Sequence, residues 1–232
     1  MYLLYKKKDK TKIENYRPLT MLETDYKILT KVLSQKLGVV APDLIHENQA
    51  GFVPGRSLYD HKKLAQLMPD YTESDFKDGL IVSLDQEKAY DKIDHDYLWQ
   101  MVVKCNFPQK FTQLVKTLYS NAKTSVMVNG VIPTIININR GTRQGDPMSC
   151  ILYNLAIEPL ACTLRESKEL KGYKINGKKE ITRLFADDTL VYLNKNDNIK
   201  DMEDIIEVFC KASTAKLNLE KTEALSIGSK EH

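Results

Sequence analysis

The chain has 232 residues, 42% hydrophobic and 28% charged, which excludes the disordered and membrane classes and leaves ample material for a buried core. Net charge is only +3, so composition alone does not mark a nucleic-acid binder. The charge is uneven, however: residues 1–40 hold nine Lys/Arg against four Asp/Glu, which reads either as a phosphate-binding segment or as a solvated lysine face.

Taken in chain order, the apolar start Met1–Tyr5 is too short for a signal sequence and runs into Lys6-Lys7-Lys8. No later stretch is long enough to span a bilayer, so an intracellular protein of nucleus and cytoplasm is expected. Thr24 reads as the N-cap of a helix through Ile28, Leu29, Val32, Leu33 and Leu37, with Gly38 as its stop. Pro42 and Asn48–Arg56 read as loop, and Ser57 as the cap of a second helix to Met68. Leu80–Leu84 is a buried strand ending at Asp85. Helices follow at about 94–106 and 108–120, then two strands around Asn129-Gly130, a strong hairpin signal.

Pro147-Met148-Ser149 opens a long apolar helix over 151–164, which Pro159 should kink. Ile181–Phe185 and Thr189–Leu193 form a hairpin with Ala186-Asp187-Asp188 at its tip. A helix over 199–212 and mixed strand character over 217–227 close the chain. Strands in hairpins interleaved with helices indicate an α+β fold with no linker dividing it. Cys105, Cys150, Cys162 and Cys210 lack metal-ligand spacing and read as buried small hydrophobes in a reducing compartment.

Adjacent aspartates at the tip of an apolar hairpin repel each other unless a cation sits between them. Asp85, at the end of a second strand, offers a third carboxylate. Three hard oxygen donors on rigid strand ends suit Mg²⁺, and two such ions about 3.5–4 Å apart would activate a primer hydroxyl and neutralise a pyrophosphate leaving group. The bland alternative is that Asp187-Asp188 merely decorates a solvated turn. None of His46, His61, His95 and His232 suggests catalysis, and His95 should cap or pack the helix it opens.

Phe185-Ala186-Asp187-Asp188 resembles the F/Y-x-D-D box of reverse transcriptases. The stretch from Asp85 through Tyr90 and Asp91 to His95 resembles the first acidic motif of non-LTR, or LINE-type, retrotransposon enzymes, and Arg140–Ser149, with Gln144-Gly145, resembles their next motif. Asn15-Tyr16-Arg17-Pro18-Leu19 and Gln49–Ser57 are similar to the fingers motifs, and Asn218–Glu223 to a later palm motif. Six motifs in order cover about residues 13–228.

The resemblance implies right-hand polymerase fingers and palm, with a small antiparallel palm sheet carrying the acidic hairpin. Residues 1–78 would form the fingers and 79–232 the palm, with fingers-proximal helices and hairpin interleaved at about 98–140. It implies RNA-directed DNA polymerisation with an RNA template, a DNA primer, dNTPs and two Mg²⁺ ions, with Mn²⁺ as a substitute. Asp85 and Asp187 would be the main metal ligands and Asp188 a weaker one.

Tyr90 would be a steric gate against the ribose 2′-hydroxyl, although a core aromatic fits the position equally. Gln144 and Gly145 would flank the nascent base pair, or form only a turn. Arg17 and one of Lys8 or Lys12 are candidates for the triphosphate. Lys221 would stand near the pyrophosphate as a general acid, or be a surface lysine. The pattern stops before a primer grip and thumb, and the endonuclease domain usual in the family is not among these residues, which implies a thumbless fragment with weak, salt-sensitive template binding. Competing readings are an RNA-directed RNA polymerase and an inactive element remnant that retains nucleic-acid binding.

Overall fold

The computed structural model describes residues 1–6, 9–74, 78–127, 130–132, 134–175 and 177–228. Its centre is a four-stranded antiparallel sheet in the order β10-β3-β9-β8, built from β3 (Gly79–Leu84), β8 (Thr182–Phe185), β9 (Asp188–Asn194) and β10 (Glu223–Ile227). The two central strands, β3 and β9, are covered on both faces, which is why they read as apolar runs rather than as alternating ones, whereas β10 at the edge is exposed at four of its five positions. Val82, Leu84, Val191 and Leu193 point into the main core, whereas Ile81, Tyr192 and Ile227 meet Met68 and Tyr173 on the opposite side.

The main core is organised by α6 (Ser149–Glu166), whose residues from Ile151 to Ile157 are all buried. It packs against α1 (Thr24–Leu44), α4 (His95–Lys104) and α7 (Ile199–Ser213). The chain stays helical through Pro159. Asp94 caps α4 by accepting a bond from the Tyr97 amide at 3.0 Å, and α5 (Gln109–Tyr119) packs beside it. α2 (Leu58–Ser74) begins where Ser57 accepts the Tyr59 amide at 3.1 Å. A single turn, α3 (Ala89–Lys92), follows Asp85 closely.

Gly38 does not end α1. The helix runs on to Leu44 and includes Pro42, because Leu33, Leu37 and Ala41 continue one buried stripe. A helical glycine costs only about 1 kcal/mol against alanine, less than that stripe gains by burial.

Two-stranded ribbons account for most elements not expected. β1 (Tyr2–Tyr5) pairs with β2 (Tyr16–Leu19), and β6 (Tyr173–Ile175) with β7 (Lys178–Glu180). β1 is mostly exposed and β7 is largely charged, so neither carries a burial pattern. β4 (Lys123–Ser125) pairs with β5 (Ile135–Asn137), shorter strands than expected, while Asn129 of the expected turn lies outside the described residues. The four cysteines are only partly buried, not core residues, and none is in a disulfide. Among the described residues no helix is long and apolar enough to cross a membrane.

Candidate active site

β3 and β9 run antiparallel with Leu84 opposite Thr189, so Asp85 leaves the sheet at the end where β9 begins. β8 and β9 close at the pair Phe185 and Asp188, leaving Ala186 and Asp187 as a two-residue turn. Register therefore delivers Asp85, Asp187 and Asp188 to one end of one sheet. Asp187 is partly buried and Asp188 exposed. Burial lifts the Asp187 carboxyl above the usual carboxylate range; a backbone hydrogen bond opposes this, and the charges of Asp188 and Asp85 add to the rise.

Asp85 is held differently. Its carboxylate accepts a bond from the Lys221 ammonium at 3.2 Å, and its carbonyl accepts the Asn218 amide at 2.8 Å. Lys221 thus sits directly on one of the three acids. Among the described residues no group of three His, Cys, Asp or Glu side chains is gathered closely enough to hold one ion.

The wall beside the acids is made where α3 meets residues 140–146. Thr142 donates its amide to the Tyr90 carbonyl at 2.6 Å, and Gly141 donates to the Ile93 carbonyl at 2.7 Å. At position 141 the chain has φ +82°, and a Cβ there would lie 2.7 Å from the Asp91 carbonyl oxygen, so only glycine fits. The Tyr90 ring lies 4.5 Å from that of Tyr153, centroid to centroid. Burial raises the Tyr90 hydroxyl well above the usual phenol range, with further contributions from Cys150, which bonds to it, and from Asp187. Tyr153 in turn donates to Gln86 at 3.1 Å.

Gln144 donates to the Asp91 carboxylate at 3.1 Å. Burial raises that carboxyl, and the Gln144 bond opposes the rise. Gly145, at φ +81°, comes near the Thr20 carbonyl just beyond β2. Asp146 is buried and accepts from the Tyr26 hydroxyl and the Met148 amide, each at 2.9 Å. The Arg143 guanidinium lies over the Tyr26 and Tyr119 rings, at 4.8 and 5.1 Å from their centroids. His95 packs against Trp99 and Tyr119 and places Nε2 2.8 Å from the Gly141 carbonyl oxygen.

The structure thus brings Tyr90 and Lys221 to the aspartates and sets Gln144 on the Asp91 side of the same wall. Lys12 is exposed on the connection between β1 and β2. The Arg17 backbone pairs with Leu4, while its side chain, like all of Lys8, lies outside the described residues. Sequence reasoning passed over Tyr153 and Gln49, whose polar groups are buried against the acidic end of the sheet, and Asp91, partly buried under Gln144. Tyr153, a polar-tipped residue inside the apolar run of α6, was the one of the three with a signal in the sequence.

Residues 5–231 match the family described as reverse transcriptase (RNA-dependent DNA polymerase). The chain belongs to this family. It is 35% identical, over 98% of its own length, to the transposon TX1 uncharacterized 149 kDa protein of Xenopus laevis. It is 26% identical, over 90% of its length, to the retrovirus-related Pol polyprotein from the type-2 retrotransposable element R2DM of Drosophila melanogaster. The chain spans only 17% of the first relative's length and 19% of the second's, and these homologues are non-LTR retrotransposon reverse transcriptases.

The fold is shared with telomerase from Candida tropicalis, solved with a TWJ fragment of telomeric RNA. That likeness has TM-score 0.61 and 15% identity, over 87% of this chain and 34% of that one. The mixed helix-and-sheet architecture with its small antiparallel sheet is that of polymerase fingers and palm. Reverse transcriptases generally use divalent metal ions.

Proposed function

We propose that this chain copies RNA into DNA, extending a DNA primer with dNTPs at the acidic end of the β3–β9–β8 sheet. The observation that carries the reading is the convergence of Asp85, Asp187 and Asp188 at that end, with the Asp187 carboxyl raised by burial and like charge. Such an arrangement is relieved by a cation, and the donors are hard oxygens that suit Mg²⁺, with Mn²⁺ able to substitute. The three carboxylates share one end of the sheet without being gathered closely enough to hold a single ion among the described residues. Asp85 and Asp187, with Asp188 at the margin, would hold two such ions, whose remaining ligands would be water and phosphate oxygens. When bound, the ions would supply charge neutralisation at the attacking and leaving oxygens.

The chain's own residues have separate tasks in this reading. Tyr90, backed by Tyr153, stands where a ribose 2′-hydroxyl would have to fit. Gln144 and Gly145 offer a wall to the nascent base pair, with the glycine permitting close approach. Arg17 and Lys12 are the candidates for the triphosphate, and Lys221 for delivering a proton to pyrophosphate. Residues 1–78 would act as fingers and 79–232 as palm, with 98–140 returning to the fingers. RNA as template is consistent with the telomerase likeness.

Primer extension on poly(rA)/oligo(dT) with Mg²⁺ is the test. We expect dTTP incorporation that Asp187→Asn abolishes. No extension by the folded chain at low salt, or selective use of ribonucleotides, would sink the reading.

A further inference from the structure

Ala186 precedes Asp187 in the turn and carries two local problems. Its φ is +57°, a conformation that an L-residue with a Cβ adopts only under strain. It is also 4% exposed, so its N–H and C=O are withdrawn from water, yet the strand pairing closes at Phe185 and Asp188 and uses neither group. Buried backbone groups need partners.

One side chain answers both. Gln49 Oε1 accepts the Ala186 amide at 2.8 Å, and Gln49 Nε2 donates to the Ala186 carbonyl at 3.1 Å. The same Oε1 accepts the Gly51 amide at 2.8 Å, which fixes the rotamer. Gln49 is 1% exposed. Its own segment is strapped to β8: Ala50 donates to the Leu184 carbonyl at 2.9 Å, and Leu184 donates to the Asn48 carbonyl at 2.7 Å. Arg56 donates to the Gln49 carbonyl at 2.8 Å, and Asn154 of α6 to the Gly51 carbonyl at 2.6 Å.

We infer that Gln49 is a positioning residue for Asp187. It holds the peptide groups on both sides of Ala186 from behind, and so fixes the direction in which the next residue presents its carboxylate. The inference rests on the reading of Asp187 as a metal ligand. Only an uncharged amide of this length meets the demand, because one end must accept and the other donate. Glutamate would set an acceptor against the Ala186 carbonyl and add a negative charge behind three others. Methionine keeps the shape and removes both bonds.

The experiment is Gln49→Met in the 232-residue chain, at a temperature where circular dichroism shows variant and parent equally folded. We expect hydrogen exchange at the Ala186 amide to speed up at least about tenfold, since its partner is gone. Mn²⁺ binding, followed by electron paramagnetic resonance, should weaken, and kcat on poly(rA)/oligo(dT) should fall about tenfold, the loss expected from 1.4 kcal/mol of misplacement. KM for dTTP should stay near the parent value.

A second variant separates positioning from mere support. Ala186→Gly added to Gln49→Met relieves the φ strain, so the melting temperature should recover in part while kcat and Mn²⁺ binding do not. Recovery of all three would reduce Gln49 to a structural prop and overturn the inference, as would unchanged exchange and Mn²⁺ binding in folded Gln49→Met. Should the folded parent chain show no extension at all, the polymerase reading fails separately, and loss of Mn²⁺ binding in Gln49→Met would still uphold the positioning role.

Discussion

The acids stand on two strand ends that the protein braces in opposite ways. At the β8–β9 turn the bracing is neutral, buried and multiple: Gln49, Gly51 and Leu184 tie the backbone through short bonds that no water reaches. At the end of β3 the side-chain brace is one ion pair, Lys221 to Asp85, with those side chains 53% and 32% exposed. Buried hydrogen bonds set geometry because breaking them strands polar groups. An exposed ion pair is worth about 0–1 kcal/mol and exchanges readily with water or another cation. One end is thus built to stay in place, and the other to change partners.

The buried brace should fail hardest. A Cβ at Gly51 would lie 2.3 Å from the Ala186 nitrogen and 3.0 Å from Gln49 Oε1, with backbone on one side and a doubly bonded amide on the other. Neither can give way freely. Gly51→Ala should destabilise the fold by about 3 kcal/mol through overpacking, lowering the melting temperature by roughly 6–12 °C for a chain of this size. A change within 2 °C would mean that the turn yields, and the contrast between the two ends would weaken.

Tyr90 lies near Asp187 and Asp188 and tests whether the rigid side also sets selectivity. Its ring rests on Tyr153, which is wholly buried. Tyr90→Ala should raise the relative use of ribonucleotides by about 10–100-fold, the scale of one steric contact of 1–3 kcal/mol. Tyr90→Phe keeps the ring and loses only the bond to the Cys150 thiol, so it should leave the ratio nearly unchanged. Equal ratios in parent and Tyr90→Ala, measured by single-nucleotide incorporation, would return Tyr90 to the core as an ordinary aromatic.

What the sequence disclosed follows the same division. Leu80–Leu84 and Thr189–Leu193 were legible because central strands covered on both faces are largely apolar, and Ile181–Phe185 because it ends in Leu-Phe beside the acidic turn. Asp94, Ser57 and the apolar run of α6 likewise announced their helices. The ribbons β1–β2 and β6–β7 were not legible, since exposed or charged strands carry no burial period. Gly38 misled because a local breaker was weighed without the buried stripe running past it. The task of Gln49 was beyond reach for a different reason. Its partner lies 137 positions away, and no spacing rule connects a side chain to a distant backbone turn.

The smallest effect is also the sharpest test, because its sign matters more than its size. Lys221 occupies the Asp85 carboxylate from the solvent side at 3.2 Å, so a divalent cation arriving there must displace it or share. Lys221→Met removes the competitor and leaves the backbone bond from Asn218 to Asp85 in place. The melting temperature should move by about 2 °C or less, as for other exposed pairs. The Mg²⁺ concentration for half-maximal extension should fall by roughly threefold, about 0.6 kcal/mol. That half-point is read against the variant's own plateau, so any loss of rate from a missing proton donor does not disturb it. Gln49→Met acts on the other end and should move metal affinity the opposite way. Opposite signs from two substitutions flanking the same three carboxylates require that one brace holds shape and the other holds charge. A raised Mg²⁺ requirement in Lys221→Met would instead make Lys221 part of the rigid frame.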